Sequence, residues 1–156
     1  MYKIKKIEFT LFEVSIPNIC SDQSGFGVWY EPGFNSQQKR FTIQILTEEG
    51  FIGEYIPPRS RATLVMPASI ALSNFIINKS CLERENHYQT MRRATKHVGE
   101  AGIGALDIAL WDLAGKISGQ SISSMLGGYR KKLPAYATIS KIPSRRKVVF
   151  LNSPAK

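Results

Sequence analysis

Hydrophobic residues recur most regularly between residues 101 and 128. Apolar side chains there are spaced by three or four residues, at Ile103, Leu106, Leu110, Leu113 and Ile117. This spacing places them on one face of an α-helix. Further apolar residues widen that face until little of the circumference is polar: Ile108, Ala109, Trp111 and Ala114. Because a helix that is apolar nearly all round is usually buried, the pattern predicts a central helix between two layers.

The polar residues of this segment predict how the helix ends. Asp112 and Lys116 are four residues apart, so their side chains can pair on a strip that reaches water. Gly115 and Gly119 weaken and end the helix. One further short turn is predicted over residues 121–126.

Alternating apolar and polar residues before this helix predict three strands. They cover Lys3–Ile16, Arg40–Leu46 and Phe51–Tyr55, with a turn at residues 48–50, and together form an antiparallel meander. Residues 17–38 are rich in polar residues, Gly and Pro, and predict a long loop. Its aromatic residues suggest a loop that closes over a surface.

Two more helices are predicted between the strands and the central helix. Pro67 suits a first helical turn, so one helix is expected from Pro67 to about Ile77, facing inward with Ala68, Ala71, Leu72, Phe75 and Ile76. The next covers Leu82–His97, with a narrow buried stripe of Tyr88, Met91 and Ala94. We interpret His87 and His97, which are ten residues apart, as packing or surface residues and not as metal ligands.

Composition excludes several classes of function. The net charge of +9 comes mostly from residues 129–156, which hold eight Lys/Arg and no acid, whereas residues 1–128 hold 13 Lys/Arg and 12 Asp/Glu. A nucleic-acid-binding domain would carry its basic stripe on the folded body, so we expect no nucleic-acid partner. No run of 18 apolar residues and no signal peptide is seen, so we expect no membrane association and a cytoplasmic location. Cys20 and Cys81 are expected to be unrelated reduced thiols.

Two sequence motifs resemble a known family. Residues 102–138 contain A-x-D-x-A-L-W-D-x-x-G-K, then L-G-G and A-Y-A. This segment resembles the one that joins the N-terminal capping domain to the catalytic barrel in the mandelate racemase/muconate lactonizing branch of the enolase superfamily. Thr47–Glu54, with the pattern T-x-x-G-x-x-G-E, resembles the capping sheet of the same superfamily.

The resemblance implies a chemistry whose groups we do not find in this chain. The superfamily abstracts a proton next to a carboxylate with a Lys or His base, while Mg²⁺ stabilises the resulting ene-diolate. Its base and metal ligands lie on later strands of a (β/α)8 barrel. We therefore expect no catalytic residue, no metal ligand and no cofactor in this chain, with Mg²⁺ belonging to the complete enzyme. Spacing supports this, because Asp107 and Asp112 point to different sides of their helix.

The resemblance also implies which residues would face a substrate. In the family, two loops of the capping domain fold over the barrel mouth, and here they correspond to residues 17–38 and the segment after Glu54. The candidate substrate-lid residues are Trp29, Tyr30, Tyr55 and Arg59, with Arg59 pairing a carboxylate. The alternative is that these are ordinary loop aromatics and a solvated arginine.

These observations predict an α+β fold, a three-stranded antiparallel meander followed by a helical bundle, truncated before the barrel. Residues 1–128 would form the capping domain, and residues 129–156 a first barrel strand, predicted over Leu133–Ser140, with a basic, poorly ordered tail. The predicted function is the capping and lid domain of a Mg²⁺-dependent sugar-acid dehydratase or racemase, inactive alone, whose small carboxylate substrate binds only the complete enzyme. Two alternatives stay open: a non-catalytic interaction module that self-associates through an exposed apolar helix, and a truncated gene product.

Overall fold

The computed structural model describes residues 2–21, 28–58 and 62–135. Two compact units divide this part of the chain. The first holds residues 2–15 and 37–133, and the second is built on residues 16–36.

A three-stranded antiparallel sheet in the order β1-β2-β3 forms the N-terminal part. Its strands are β1 (Ile4–Ser21), β2 (Val28–Thr47) and β3 (Ile52–Tyr55). In the β2–β3 register Ile43 faces Tyr55 and Leu46 faces Ile52. The predicted turn between them is confirmed: the Thr47 and Phe51 backbones pair at 2.9 Å, and Gly50 has a φ of 90°.

The predicted loop over residues 17–38 is wrong for most of its length. Residues 17–21 continue β1 and residues 28–38 belong to β2. The loop is predicted because these residues lack a strand pattern, but their surroundings tolerate that. In the described residues β3 pairs only with Ile43–Leu46, so the earlier part of β2 has β1 as its single partner strand. A strand with one open side tolerates Pro32 and Gly33, which the sequence pattern reads as loop residues.

Among the described residues, four helices follow the sheet: α1 (Ala62–Ser73), α2 (Arg84–Ala94), α3 (Ile103–Ser118) and α4 (Ile122–Met125). The predicted start of α1 at Pro67 is wrong, because the helix begins five residues earlier and includes this proline. A proline within a helix removes one backbone hydrogen bond but need not end the helix. The inward face of α1 is also narrower than predicted, since Leu72 and the following Ile76 are buried, whereas Ala71 and Phe75 are exposed.

Helix α2 is shorter than predicted and faces the core with a different stripe. The buried positions are His87 and Met91, followed by Thr95 just after the helix, whereas Ala94 is exposed. A spacing of four residues therefore replaces the predicted spacing of three. The interpretation of His87 as a packing residue is confirmed, since it is 1% exposed and its Nε2 lies 2.7 Å from the carbonyl oxygen of Ser80.

The predicted central helix and its ends are confirmed. Gly119 ends α3 in the left-handed conformation, with a φ of 65°. Ser121 then caps α4, because its Oγ accepts the backbone N–H of Ser124 at 3.1 Å.

The prediction of a buried central helix agrees with the structure, and α3 offers no wide uncovered apolar face to the alternative of self-association through an exposed helix. Helix α3 packs on β3, α1 and α2, which bury half of its residues. Of its large apolar side chains only Ile108 is exposed, at 40%. The sheet side of the core is formed by Ile4, Phe41, Ile43 and Ile45.

Two other predictions meet the limits of the described chain. Residues 133–135 are not in a strand, and the rest of the strand predicted over Leu133–Ser140 lies outside the described residues. Among the described helices, none has the length and apolar content needed to cross a lipid bilayer.

Candidate functional site

A polar network joins the end of β3 to the exposed strip of α3. The backbone N–H of Glu54 donates to Oδ2 of Asp112 at 2.8 Å. Lys116 Nζ lies 2.8 Å from the same oxygen and 3.3 Å from Oε2 of Glu54, and it donates to the Ile52 carbonyl at 2.9 Å. Gln44 Nε2 completes the network by donating to Oε1 of Glu54 at 2.7 Å. The predicted pairing of Asp112 with Lys116 is therefore confirmed, and it extends to a strand some sixty residues away.

These contacts fix the charges of the network. Hydrogen bonding from Gln44, followed by that from Lys116, lowers the pKa of Glu54 below its ordinary value of 4.5. Hydrogen bonding to Asp112 raises the pKa of Lys116. The carboxylate of Glu54 and the ammonium of Lys116 are therefore ionised near neutral pH. The network holds β3 against α3 by charge-assisted bonds.

The same geometry decides whether the network could hold the Mg²⁺ that the resemblance implies. A divalent cation needs several free carboxylate or carbonyl oxygens. Here the ammonium of Lys116 already lies against both carboxylates. No group of three or more His, Cys, Asp or Glu residues suited to a metal ion occurs among the described residues. The residues of the network therefore do not fit Mg²⁺.

Tyr55 ends β3 directly after this network. Its side chain is half-buried and packs against the hydrophobic core, while the next residue, Ile56, is 55% exposed. Close packing of β3 on α3 sets this position: a Cβ added to Gly53 would lie 2.3 Å from the carbonyl oxygen of Ala109. Tyr55 is thus the residue at the end of β3 that contacts the core.

Trp29 and Tyr30 lie at the start of β2, in the second compact unit. The indole Nε1 of Trp29, which is half-buried, donates to Oε2 of Glu31 at 3.3 Å. Tyr30 is 54% exposed. In the same unit the side-chain Oδ1 of Asn18 accepts the backbone N–H of Gly33 at 2.9 Å, joining β1 to β2. The two aromatic residues therefore sit on paired strands and not on a free loop.

The four predicted lid residues are thus distributed over different parts of the molecule. Trp29 and Tyr30 are neighbours in the second unit, whereas Tyr55 belongs to the first. Arg59 lies outside the described residues, so its predicted role stays a prediction.

A second polar feature, between α2 and α3, was not predicted. The guanidinium of Arg84 stacks over the ring of Trp111, with 3.4 Å from Cζ to the ring centroid. Its Nη1 is buried and makes no hydrogen bond in the described part of the chain. The two residues are 27 positions apart, so no local spacing in the sequence could have indicated the pair.

Comparison with known proteins decides the family. The family model of the mandelate racemase / muconate lactonizing enzyme N-terminal domain matches residues 32–127, which is more than half of the chain. This chain belongs to that family. The order of sheet and helices agrees with the capping-domain fold of the mandelate racemase/muconate lactonizing family.

Curated relatives in the family are sugar-acid enzymes. The chain is 34% identical over 134 residues to an L-rhamnonate dehydratase of Saccharopolyspora erythraea, covering 77% of this chain and 34% of that protein. It is 32% identical over 120 residues to a D-galactarolactone cycloisomerase of Agrobacterium fabrum, covering 67% of this chain and 31% of that protein. The chain thus spans about a third of the length of these relatives.

Solved structures support the same fold. An enolase-superfamily member from a Polaromonas species matches with a TM-score of 0.67 at 24% identity, covering 87% of this chain and 36% of that one. A D-glucarate dehydratase from Agrobacterium tumefaciens, complexed with magnesium, matches with a TM-score of 0.59 at 22% identity, covering 83% of this chain and 33% of that one. At these identities the similarity establishes the fold alone.

Proposed function

We propose that this chain acts as the capping domain of a mandelate racemase/muconate lactonizing-type enzyme, where it covers the mouth of a catalytic barrel and helps to select a sugar acid. The observation that carries this proposal is the family match over residues 32–127, in a chain that spans about a third of its sugar-acid relatives. The reaction of the complete enzyme would be dehydration, cycloisomerisation or racemisation of the acid, with Mg²⁺ held by the barrel. We expect the 156-residue chain on its own to bind no Mg²⁺ and to turn over no sugar acid.

The lid role falls to the aromatic residues that precede and follow the sheet core. Tyr30 is exposed and lies on a strand of the sheet, which suits a side chain that contacts a bound ligand. The indole of Trp29 donates to Glu31. This bond would help to position Tyr30, which lies between the two residues. Tyr55 would place the segment that follows β3, in which Arg59 would pair with the substrate carboxylate.

A chimeric enzyme tests this function. Residues 1–128 would replace the matching domain of the S. erythraea L-rhamnonate dehydratase, and Mg²⁺-dependent turnover of L-rhamnonate and related sugar acids would be measured. We expect an active chimera in which Tyr30→Ala and Arg59→Ala each raise KM about tenfold, the cost of one lost polar or aromatic contact to substrate. Lys96→Ala, at an exposed site after α2, is the matched control and should leave KM unchanged.

Two outcomes would contradict the proposal. Turnover of a sugar acid by the isolated 156-residue chain would show that catalysis does not need a barrel. An active chimera in which neither substitution changes KM would reject the lid role while leaving the capping role in place.

Self-association as a non-catalytic module is the second candidate function, and exposed apolar surface on α1 favours it. Leu64 is 70% exposed and Ile70 is 43% exposed. Ile70, together with Leu11 and Met66, borders an apolar groove of about 480 Å³. The exposed apolar surface is thus on α1. The alternative drawn from the sequence instead places it on the central helix, α3. Light scattering tests this: a dimer that Leu64→Lys converts to a monomer supports it, and a monomer at all concentrations rejects it.

A further inference from the structure

The cleft between α2 and α3 combines one unpaired donor with a surplus of carboxylates. It encloses about 540 Å³ and is bordered by Glu83, Arg84, Glu85, Tyr88, Asp107 and Trp111. We call it the α2–α3 cleft. Its size is within the range of sites that bind small ligands or single side chains of a partner.

The guanidinium of Arg84 is fixed in the cleft but is not fully hydrogen-bonded. Stacking on Trp111 holds its guanidinium in one orientation. Its Nη1 is buried without a hydrogen-bond partner in the described residues. An unpaired buried donor is costly, so an acceptor that reached Nη1 from outside the chain would recover that cost.

Asp107, one helical turn before Trp111 on α3, is the complementary group of the cleft. It makes no ion pair within 4.0 Å and no hydrogen bond in the described part of the chain, although the charge of Arg84 acts on it. Burial raises its pKa, which means that its charge lacks full compensation. A half-buried carboxylate in this state favours a hydrogen-bond donor that carries positive charge.

The charges at the rim decide which kind of ligand fits. Three carboxylates, of Glu83, Glu85 and Asp107, line the cleft together with the single guanidinium of Arg84. The cleft is therefore acidic on a chain whose net charge is +9. An anionic ligand would be repelled, while a ligand with a neutral acceptor and a cationic donor would satisfy both orphan groups.

We propose that the α2–α3 cleft binds a partner polypeptide through one arginine or lysine side chain, which pairs with Asp107 while a main-chain carbonyl beside it accepts from Arg84. The apolar parts of Tyr88 and Trp111 contact the stem of the basic side chain. This inference does not depend on the capping function, because it uses neither the lid residues nor a barrel.

A peptide titration of the full chain tests the site. The probe is acetyl-Gly-Arg-Gly-amide, and the readout is the indole N–H resonance of Trp111 in ¹H–¹⁵N spectra, with the indole of Trp29, in the other unit, as internal control. We expect saturable shifts at Trp111 alone. The citrulline peptide, which keeps the shape but not the charge, should bind about tenfold more weakly, as expected for loss of one charge-assisted bond.

Variants assign the two contacts separately. Asp107→Asn should weaken the arginine peptide to the level of the citrulline peptide, whereas Arg84→Gln should weaken both peptides alike. Glu100→Gln is the matched control, since this carboxylate pairs with Arg92 outside the cleft, and it should change nothing. Thermal unfolding confirms that each variant is folded.

The proposal is overturned by any of three results on the unmodified chain: equal binding of the arginine and citrulline peptides, stronger binding of acetyl-Gly-Glu-Gly-amide, or no shift at Trp111 up to about 10 mM peptide. These results need no variant, so they hold even if a substitution prevents folding.

Discussion

Glu54 and Asp112, which are 58 positions apart, are joined by a hydrogen bond of 2.8 Å from the backbone N–H of one to the carboxylate of the other. Lys116 contacts the same carboxylate and links it to the Glu54 side chain. The bond fixes the last strand of the sheet on the central helix. It therefore fixes the end of β3 at Tyr55, where the chain leaves the sheet and enters the proposed lid segment.

Removing this carboxylate should weaken the contact between β3 and α3. We expect Asp112→Ala to lower the free energy of unfolding by about 1–2 kcal/mol, because a charge-assisted bond and an ion pair are both lost. Asp112→Asn keeps an acceptor for the Glu54 N–H and should lose about half as much. Chemical denaturation measures both.

The control for this pair is Glu100→Ala, which removes an exposed partner of Arg92 and should change stability by less than about 0.5 kcal/mol. Equal losses for Asp112→Ala and Asp112→Asn would show that the bond to the Glu54 N–H does not stabilise the fold.

The lowered pKa of Glu54 predicts how stability depends on pH. Hydrogen bonding from Gln44 and Lys116 favours the ionised carboxylate in the folded state. A group whose folded pKa is depressed stabilises the fold above its ordinary value of 4.5, and this contribution is lost as pH falls through the folded pKa. Because Glu54 is exposed, the contribution is small.

Unfolding free energies measured at a series of pH values below neutrality check the sign. Glu54→Gln should lose less stability than the unmodified chain as pH falls below 4.5. Gln44→Leu, which removes the main cause of the shift, should behave in the same direction. Curves for Glu54→Gln and the unmodified chain that run parallel through the acid range would contradict the assignment.

Gly53 and Gly104 make opposite predictions for the same substitution. A Cβ at Gly53 would meet the Ala109 carbonyl oxygen at 2.3 Å and the Leu113 Cβ at 2.5 Å, whereas a Cβ at Gly104 would meet nothing within 4 Å. Gly53→Ala should therefore destabilise the fold by about 3 kcal/mol through overpacking. Gly104→Ala, near the start of α3, should stabilise it by about 0.5–1 kcal/mol because alanine favours the helix.

Melting temperatures of the two variants, measured side by side, decide between these effects. A Gly53→Ala chain as stable as the unmodified one would show that β3 can move away from α3. A loss at Gly104→Ala would mean that this face of α3 is covered.

The sequence predicted the contacts that depend on local spacing. The pair Asp112–Lys116 and the cap at Gly119 follow from periods of four residues and from glycine chemistry within one helix. The recurrence of apolar residues likewise placed the central helix correctly. Contacts between distant segments, such as Glu54 with Asp112 or Arg84 with Trp111, have no local signal, so only the folded chain brings them into view.

The extended parts of β1 and β2 could not be predicted from sequence patterns for a different reason. Residues 17–21 and 28–38 lack strict alternation, yet they form strands because each supplies backbone partners for the other. Backbone pairing of this kind does not depend on which side chains are present, except where proline removes a donor. For the candidate site, the aromatic residues Trp29 and Tyr30 were indicated by composition, whereas their placement on a strand was not.

The two cysteines should differ sharply in reactivity. Cys81 is fully buried in the core, and burial raises its pKa to about 11. Cys20 is half-buried on β1. Because the thiolate is the reactive form, a maleimide reagent at neutral pH should label Cys20 in the folded chain and reach Cys81 only after unfolding. Mass spectrometry should therefore find one label per native chain and two in denaturant. The backbone N–H of Cys81 donates to the Tyr2 carbonyl at 2.8 Å, which joins the segment after α1 to the start of β1. The Cys20→Ser variant isolates the buried thiol, whose labelling should be as rare as global opening. Native-state labelling at the rate of a free thiol would show that this contact opens without unfolding of the core.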